Sequence, residues 1–384
     1  MLAVVTGVGL YVASTQGPRS ATPPASSSTT TSASSSLTPS ISPSAAPRPV
    51  VVQGPTFTTS GNQILADGAP FVPYGVTVFG LAYPNWQDHV DSDEQQIDVT
   101  ASTWHGNTVR VQVAPSNLLD QAPYDAAYLT AVESEVAAAQ ADHLVVILTA
   151  QDERTTKIPM PTKSTAAFWR LMAPIYAHDP DVWFDLFNEP RLGASAAGDS
   201  AGLWNIWRNG GSGYVGMQHL VKTVRARAPN LVLVEGLDKA ETLAGLPTHP
   251  IEGASVAYAV HPYFSGPELS SPTAWGENWG NLSGQFPIVA DEWGEYESQM
   301  ASCQQNAPTL VPQFLAYLAD HNIGLIAWAL KPGVLVVGHD LADPTQFSPG
   351  EPFVCAAGDV GSQNGQGVGA DVLAYFAAHS RSIP

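Results

Sequence analysis

Eight short apolar runs, alternating with stretches of helical spacing, constrain this chain more than any other feature. They fall at residues 74–79, 108–113, 144–148, 182–187, 231–234, 256–260, 288–290 and 324–329. They are rich in Val, Ile and Leu, as strands covered on both faces should be. Between them, residues 125–141, 165–176, 213–226 and 310–321 carry apolar side chains three and four apart, the period of one helix face. Strand–helix alternation repeated eight times predicts an α/β fold, a (β/α)8 TIM barrel, which needs roughly 250 residues. A doubly wound open sheet is the alternative. It would usually carry a glycine-rich phosphate turn after its first strand, and no G-x-G-x-x-G opens a helix here. Just before the first run, residues 63–74 predict a hairpin around Asp67-Gly68, because D-G between apolar segments is a strong turn signal.

The first 55 residues read differently. Residues 1–16 contain an apolar run of signal-peptide length with no positive segment before it, expected to act as an export signal or the remnant of a signal anchor. Residues 17–55 are dominated by Ser, Thr, Pro and Ala, a composition that cannot bury enough surface to offset ordering entropy. They are expected to form a disordered linker, with the barrel occupying 56–384. A secreted or extracellular monomer follows as the expectation, with the N-terminus able to tether it to a wall or membrane.

Acidic residues outnumber basic ones 34 to 15, for a formal charge of −19. Such a surface repels nucleic acid and anionic membranes but not a neutral polysaccharide. The two cysteines, Cys303 and Cys355, lack metal-site spacing. An exported chain would join them in a disulfide; a reducing compartment would leave them as thiols. Neither H-x-H nor H-E-x-x-H occurs, so a metal-dependent hydrolase is not expected. The 10 Trp are either core filling or, in part, sugar-stacking surface.

A barrel of this kind keeps its chemistry at the C-terminal ends of its strands. The fourth run ends in Asn188-Glu189-Pro190 and the seventh in Asp291-Glu292-Trp293, so two carboxylates face one mouth from opposite sides. Glycoside hydrolysis needs two carboxylates, roughly 5–5.5 Å apart when configuration is retained. Arg110, inside the second run, needs a buried carboxylate partner. Glu292 is one candidate, and a structural pair with Asp185 or Asp291 is the other. The sixth run ends in His261-Pro262-Tyr263, placing His261 to bond one carboxylate and Tyr263 the other. Trp328, in the eighth, is either a floor for a sugar ring or barrel core.

These motifs, in this order, resemble glycoside hydrolase family 5, the cellulase family. The resemblance runs from about residue 62 to 379, and 204–211 (WNIWRNGG) is similar to bacterial endoglucanases. It implies a retaining β-1,4-glycan hydrolase without an obligatory cofactor. Glu189 would be the acid/base, Glu292 the nucleophile and Asn188 the partner of the sugar 2-hydroxyl. Arg110, His261, Tyr263 and Trp328 would support them. The chain departs from the family at Gln151, where a His usually follows the third strand. Gln cannot titrate, so sugar binding in the reacting subsite is what this change touches. A β-mannanase, another β-glycosidase, or a catalytically silent glycan-binding surface protein remain the other readings.

Overall fold

The computed structural model describes residues 54–383, apart from 152–157, 194–199, 266–268, 296–302, 351–352 and 354–364. The expected export segment 1–16 and nearly all of the linker 17–55 therefore lie outside the described residues, as does Cys355. Cys303 is disulfide-bonded.

An antiparallel sheet comes first, built from β1 (Phe57–Ser60), β2 (Gln63–Ala66) and β3 (Ala69–Phe71). The β2–β3 turn is Asp67-Gly68, both at positive φ (47° and 87°), as the D-G signal predicts. Eight parallel strands then close a barrel: β4 (Tyr74–Val78), β5 (Thr108–Val113), β6 (Val145–Ala150), β7 (Val182–Asp185), β10 (Val232–Glu235), β11 (Val256–Val260), β12 (Ile288–Trp293) and β13 (Gly324–Ala327). Between β7 and β10 lies a two-stranded ribbon, β8 (Gly210–Gly211) and β9 (Tyr214–Val215). Every barrel strand is buried along its whole length. The strands β4 and β5 approach so closely that a Cβ on Gly75 would lie 1.6 Å from the Thr108 carbonyl oxygen.

Helices cover the outside. The expected ones are Ala126–Ala141, Lys163–Ile175, Met217–Arg225 and Ala307–Asp320. The first starts at Asp125, whose carboxylate accepts the Ala127 and Tyr128 N–H groups as an N-cap. Val90–Ser102 is a further helix that apolar spacing did not reveal; only Asp93, Ile97 and Thr100 on it are buried.

The barrel interior is layered. Val145, Ile147, Trp183, Leu231, Leu233, Ala257, Ala259, Val289 and Ile326 form an apolar floor. The N-terminal sheet plugs it from below: Phe57 and Phe71 meet the Trp183 ring edge-on at 5.0 and 5.8 Å. Side chains along a strand return to the same face every second residue. One step up from Ile147, Trp183, Leu233, Ala259 and Val289 stand Thr149, Asp185, Glu235, His261 and Asp291. The apolar floor thus carries a polar layer directly above it, and all five of those side chains are fully buried.

Candidate active site

The polar layer is organised around Arg110, which reaches inward from β5 with no exposed surface. Its Nη1 donates to Glu292 at 2.7 Å. Its Nη2 faces Asn188 at 2.8 Å and Asp185 and Glu235 at 3.1 Å each. Nε lies 3.5 Å from Asp291. Both partners considered for Arg110 from sequence are therefore real at once. Burial opposes the charge on Arg110, but the surrounding carboxylates overcome this and hold its pKa well above the ordinary value.

Glu292 owes its direction to an irregularity. Along β12 and β13 the register runs Ala290↔Leu325 and then Trp293↔Ala327, so β12 carries one residue more than its neighbour. Strict alternation would turn Glu292 away from Asp291. The bulge lets both face the barrel mouth, as bulges beside functional sites often do. Glu292 then collects donors: Arg110 and Gln112 (2.9 Å) at Oε2, and the Tyr263 hydroxyl (3.1 Å) at Oε1.

Glu189 sits just beyond β7 at φ 53°, a left-handed conformation uncommon for a residue with a Cβ. Three main-chain contacts fix this turn. The Glu189 N–H donates to the Glu235 carboxylate, Asn188 N–H to Ala150, and Lys239 N–H to the Pro190 carbonyl. Its Oε1 lies 3.5 Å from His261 Nδ1. Burial pushes the Glu189 carboxyl up, but His261, then Lys239 and Arg110, outweigh it and hold it below the usual range. His261 is itself fully buried, which disfavours its charge. Glu235, Glu292, Asp291 and Glu189 overcome that and keep it an imidazolium well above its ordinary pKa. Glu235 goes the other way: burial, then the adjoining acids Asp185 and Asp291, raise it well above a normal carboxyl despite His261.

Oxygens of Glu189 and Glu292 and a nitrogen of His261 all lie within 4.8 Å of one another, as do those of Glu235, His261 and Asp291. Such spacing would fit a cation. Here Arg110 and the imidazolium of His261 already supply positive charge to these carboxylates, so we assign no metal to either group.

The remaining expected residues gather at the same mouth. Asn188 is buried on Arg110, and Tyr263 is on Glu292. Trp328 is half-buried and stacks on Phe79, with ring centroids 4.5 Å apart and planes 25° apart. Gln151 is buried just beyond β6, its N–H bonded to the Val113 carbonyl. Most of the other tryptophans are core: among the described residues only Trp86 and Trp328 are not buried. Two residues were not anticipated from sequence. Glu235 ends the run Val232-Leu233-Val234-Glu235, the same apolar-run-then-acid signal that marked Glu189 and Glu292. Gln112 stands two residues after Arg110 and so faces the same way.

A family model, cellulase (glycosyl hydrolase family 5), matches residues 64–333, well over half of the chain. The chain belongs to glycosyl hydrolase family 5. This family 5 member is therefore a glycoside hydrolase, cellulase-like, on a TIM barrel. Similar solved structures share the fold at low identity. A β-glucanase from Saccharophagus degradans in complex with cellotetraose has a TM-score of 0.64 at 21% identity, covering 78% of this chain and 94% of that one. The endoglucanase Cel5A catalytic domain from Thermobifida fusca, also solved with cellotetraose, gives 0.60 at 15%, covering 84% and 97%. An endocellulase from Pyrococcus horikoshii gives 0.62 at 16%, covering 77% and 96%. No curated protein matches the sequence.

Proposed function

We propose that this protein hydrolyses β-1,4-linked glucan with retention of configuration, Glu292 acting as nucleophile and Glu189 as acid/base. The observation that carries the reading is the pair itself: two carboxylates within 4.8 Å across one mouth, in unlike surroundings. That spacing suits a nucleophile that bonds directly to the sugar rather than through an intervening water. Glu292, ringed by the donors of Arg110, Gln112 and Tyr263, is suited to carry negative charge. In the first step a Glu292 oxygen bonds to the anomeric carbon while Glu189 gives its proton to the departing glycosidic oxygen. In the second, Glu189 takes a proton from water, the water oxygen bonds to the anomeric carbon, and the ester to Glu292 breaks.

Glu189 must hold a proton to start the cycle, and its carboxyl is held below the usual range. The protonated fraction therefore falls as pH rises, and turnover should be best in acid. Cellotetraose in the solved relatives supports a glucan chain as substrate, with Asn188 reaching the sugar 2-hydroxyl and Trp328 and Gln151 shaping the reacting subsite. The apolar run in residues 1–16 and the Ser/Thr/Pro-rich composition of 17–55 support an exported enzyme, held by a spacer, acting on a neutral polysaccharide. A second reading, another β-glycan such as mannan, is favoured by Gln151, an amide where a His usually follows the third strand.

The test is hydrolysis of carboxymethyl cellulose, barley β-glucan, mannan and xylan, with Glu189→Gln and Glu292→Gln alongside. Each variant should lose at least about 10³-fold in turnover while keeping its melting temperature. Full activity in either variant would refute the role given to that residue, and cleavage of mannan alone would move the substrate.

A further inference from the structure

We infer that Glu235 is a positioning residue for the acid/base Glu189, gripping it from two directions at once. The inference rests on the site reading given above.

Glu235 is the last residue of β10, fully buried, and its strand is hydrogen-bonded on both sides, to β7 and β11. One oxygen of its carboxyl accepts the main-chain N–H of Glu189, the residue held at φ 53°. The other lies 3.3 Å from His261 Nε2, and the opposite ring nitrogen of His261 lies 3.5 Å from Glu189 Oε1. A carboxyl–imidazole–carboxylate line thus returns to the residue whose backbone Glu235 already holds. The Glu235 carbonyl accepts the Trp207 indole N–H at 2.9 Å, which pins the strand end itself.

The plainer alternative is that Glu235 only neutralises Arg110, which it meets at 3.1 Å. Arg110 already has Glu292, Asp185 and Asp291 for that purpose. A further carboxyl buried in so acidic a cluster is costly, so neutralising Arg110 is a poor account of its presence. Asp291 shares the His261 Nε2 contact, at 3.4 Å. Glu235 adds to such a contact the hydrogen bond from the Glu189 amide.

Glu235→Gln is the direct test, because Glu189 N–H, Arg110 and His261 all present donors, and an amide nitrogen at either position would oppose one of them. Cello-oligosaccharides leave as poor leaving groups and need the proton of Glu189; a 2,4-dinitrophenyl β-cellobioside does not. In kcat/KM, which reports the first, bond-breaking step and not the base-assisted second, Glu235→Gln should lose roughly 10- to 100-fold on cellotetraose and stay within about threefold on the dinitrophenyl substrate. Equal losses on both, or no loss on either, would overturn the inference. A second readout needs no turnover. The His261 ring nitrogens, labelled with ¹⁵N and assigned against His261→Asn, should titrate about one pH unit lower in Glu235→Gln. An unchanged His261 titration would refute the arrangement. A wild type that cleaves no glycoside would instead sink the proposed function while this titration still decides the placement of Glu235.

Discussion

Replacing Arg110 with Met keeps most of the side-chain volume and removes the charge that the polar layer is built on. Asp185, Glu235, Asp291 and Glu292 would then face one another, with His261 as the cation left among them. Breaking a buried ion pair by removing one partner costs about 3–5 kcal/mol. For a domain of this size each kcal/mol shifts the melting temperature by about 2–4 °C, so a loss of about 10 °C near neutral pH is expected. The loss must depend on pH in a definite direction. Burial already raises Asp185 and Glu235 above normal carboxyls, and Arg110 holds Asp185 down. Without Arg110 these folded-state values rise further. A carboxyl raised in the folded state contributes stability that is fully present below its unfolded pKa of about 4 and is lost as pH rises through the folded value. Thermal melts followed by circular dichroism at pH 4, 5.5 and 7 should therefore show a gap between variant and wild type that widens with pH. A gap of constant size, or a variant as stable as wild type at pH 7, would refute the claim that charge compensation is what Arg110 supplies.

Asp93 presents the same physics away from the site. Burial pushes its carboxyl up to about 7, against the pull of the Gly80 and Leu81 N–H groups, so wild-type stability should fall as pH rises from about 4 through 7. Asp93→Asn should flatten that slope and gain up to about 4 kcal/mol at pH 8, read from urea melts at both ends; an unchanged slope would show that Asp93 titrates normally. Phe57→Ala should destabilise by about 3–5 kcal/mol by opening the barrel plug, with kcat per folded molecule unchanged; a lower kcat would mean the floor also shapes the site. Gln112→Leu removes an uncharged donor from Glu292 and should lower kcat about tenfold with little change in KM, whereas a rise in KM alone would make Gln112 a binding residue.

The barrel was legible because all eight strands are short apolar runs, five of which end abruptly in polar residues, and the structure moves their bounds by only a few positions. What escaped the sequence did so for physical reasons. The Val90–Ser102 helix buries just three side chains and reads as a solvated segment. The hairpin at Asp67-Gly68 could be foreseen from its turn chemistry, but its docking under the barrel depends on the shape of Trp183, which no local pattern encodes. The extra residue in β12 is equally hidden, because Asp291 and Glu292 are both acids and either could be the inward one. Glu235 had a signal, the acid at the end of a Val/Leu run, but its worth shows only when the strand ends are brought around one mouth. Within the mouth, the meeting of Arg110, His261 and the carboxylates follows from alternation along each strand once the barrel is closed.

The plug beneath the barrel also separates the protein's two populations of charge. Phe57, Phe71 and Trp183 close the lower end and keep the medium from the polar layer on that side. Dissolved salt screens exposed charges within about 10 Å at 0.1 M but reaches buried pairs far less. The outer surface, with its formal −19, will respond to ionic strength in solubility and in how it meets other charged bodies. The grip of Arg110 and His261 on the carboxylates will scarcely register it, and a salt series would separate the behaviour of the shell from that of the centre.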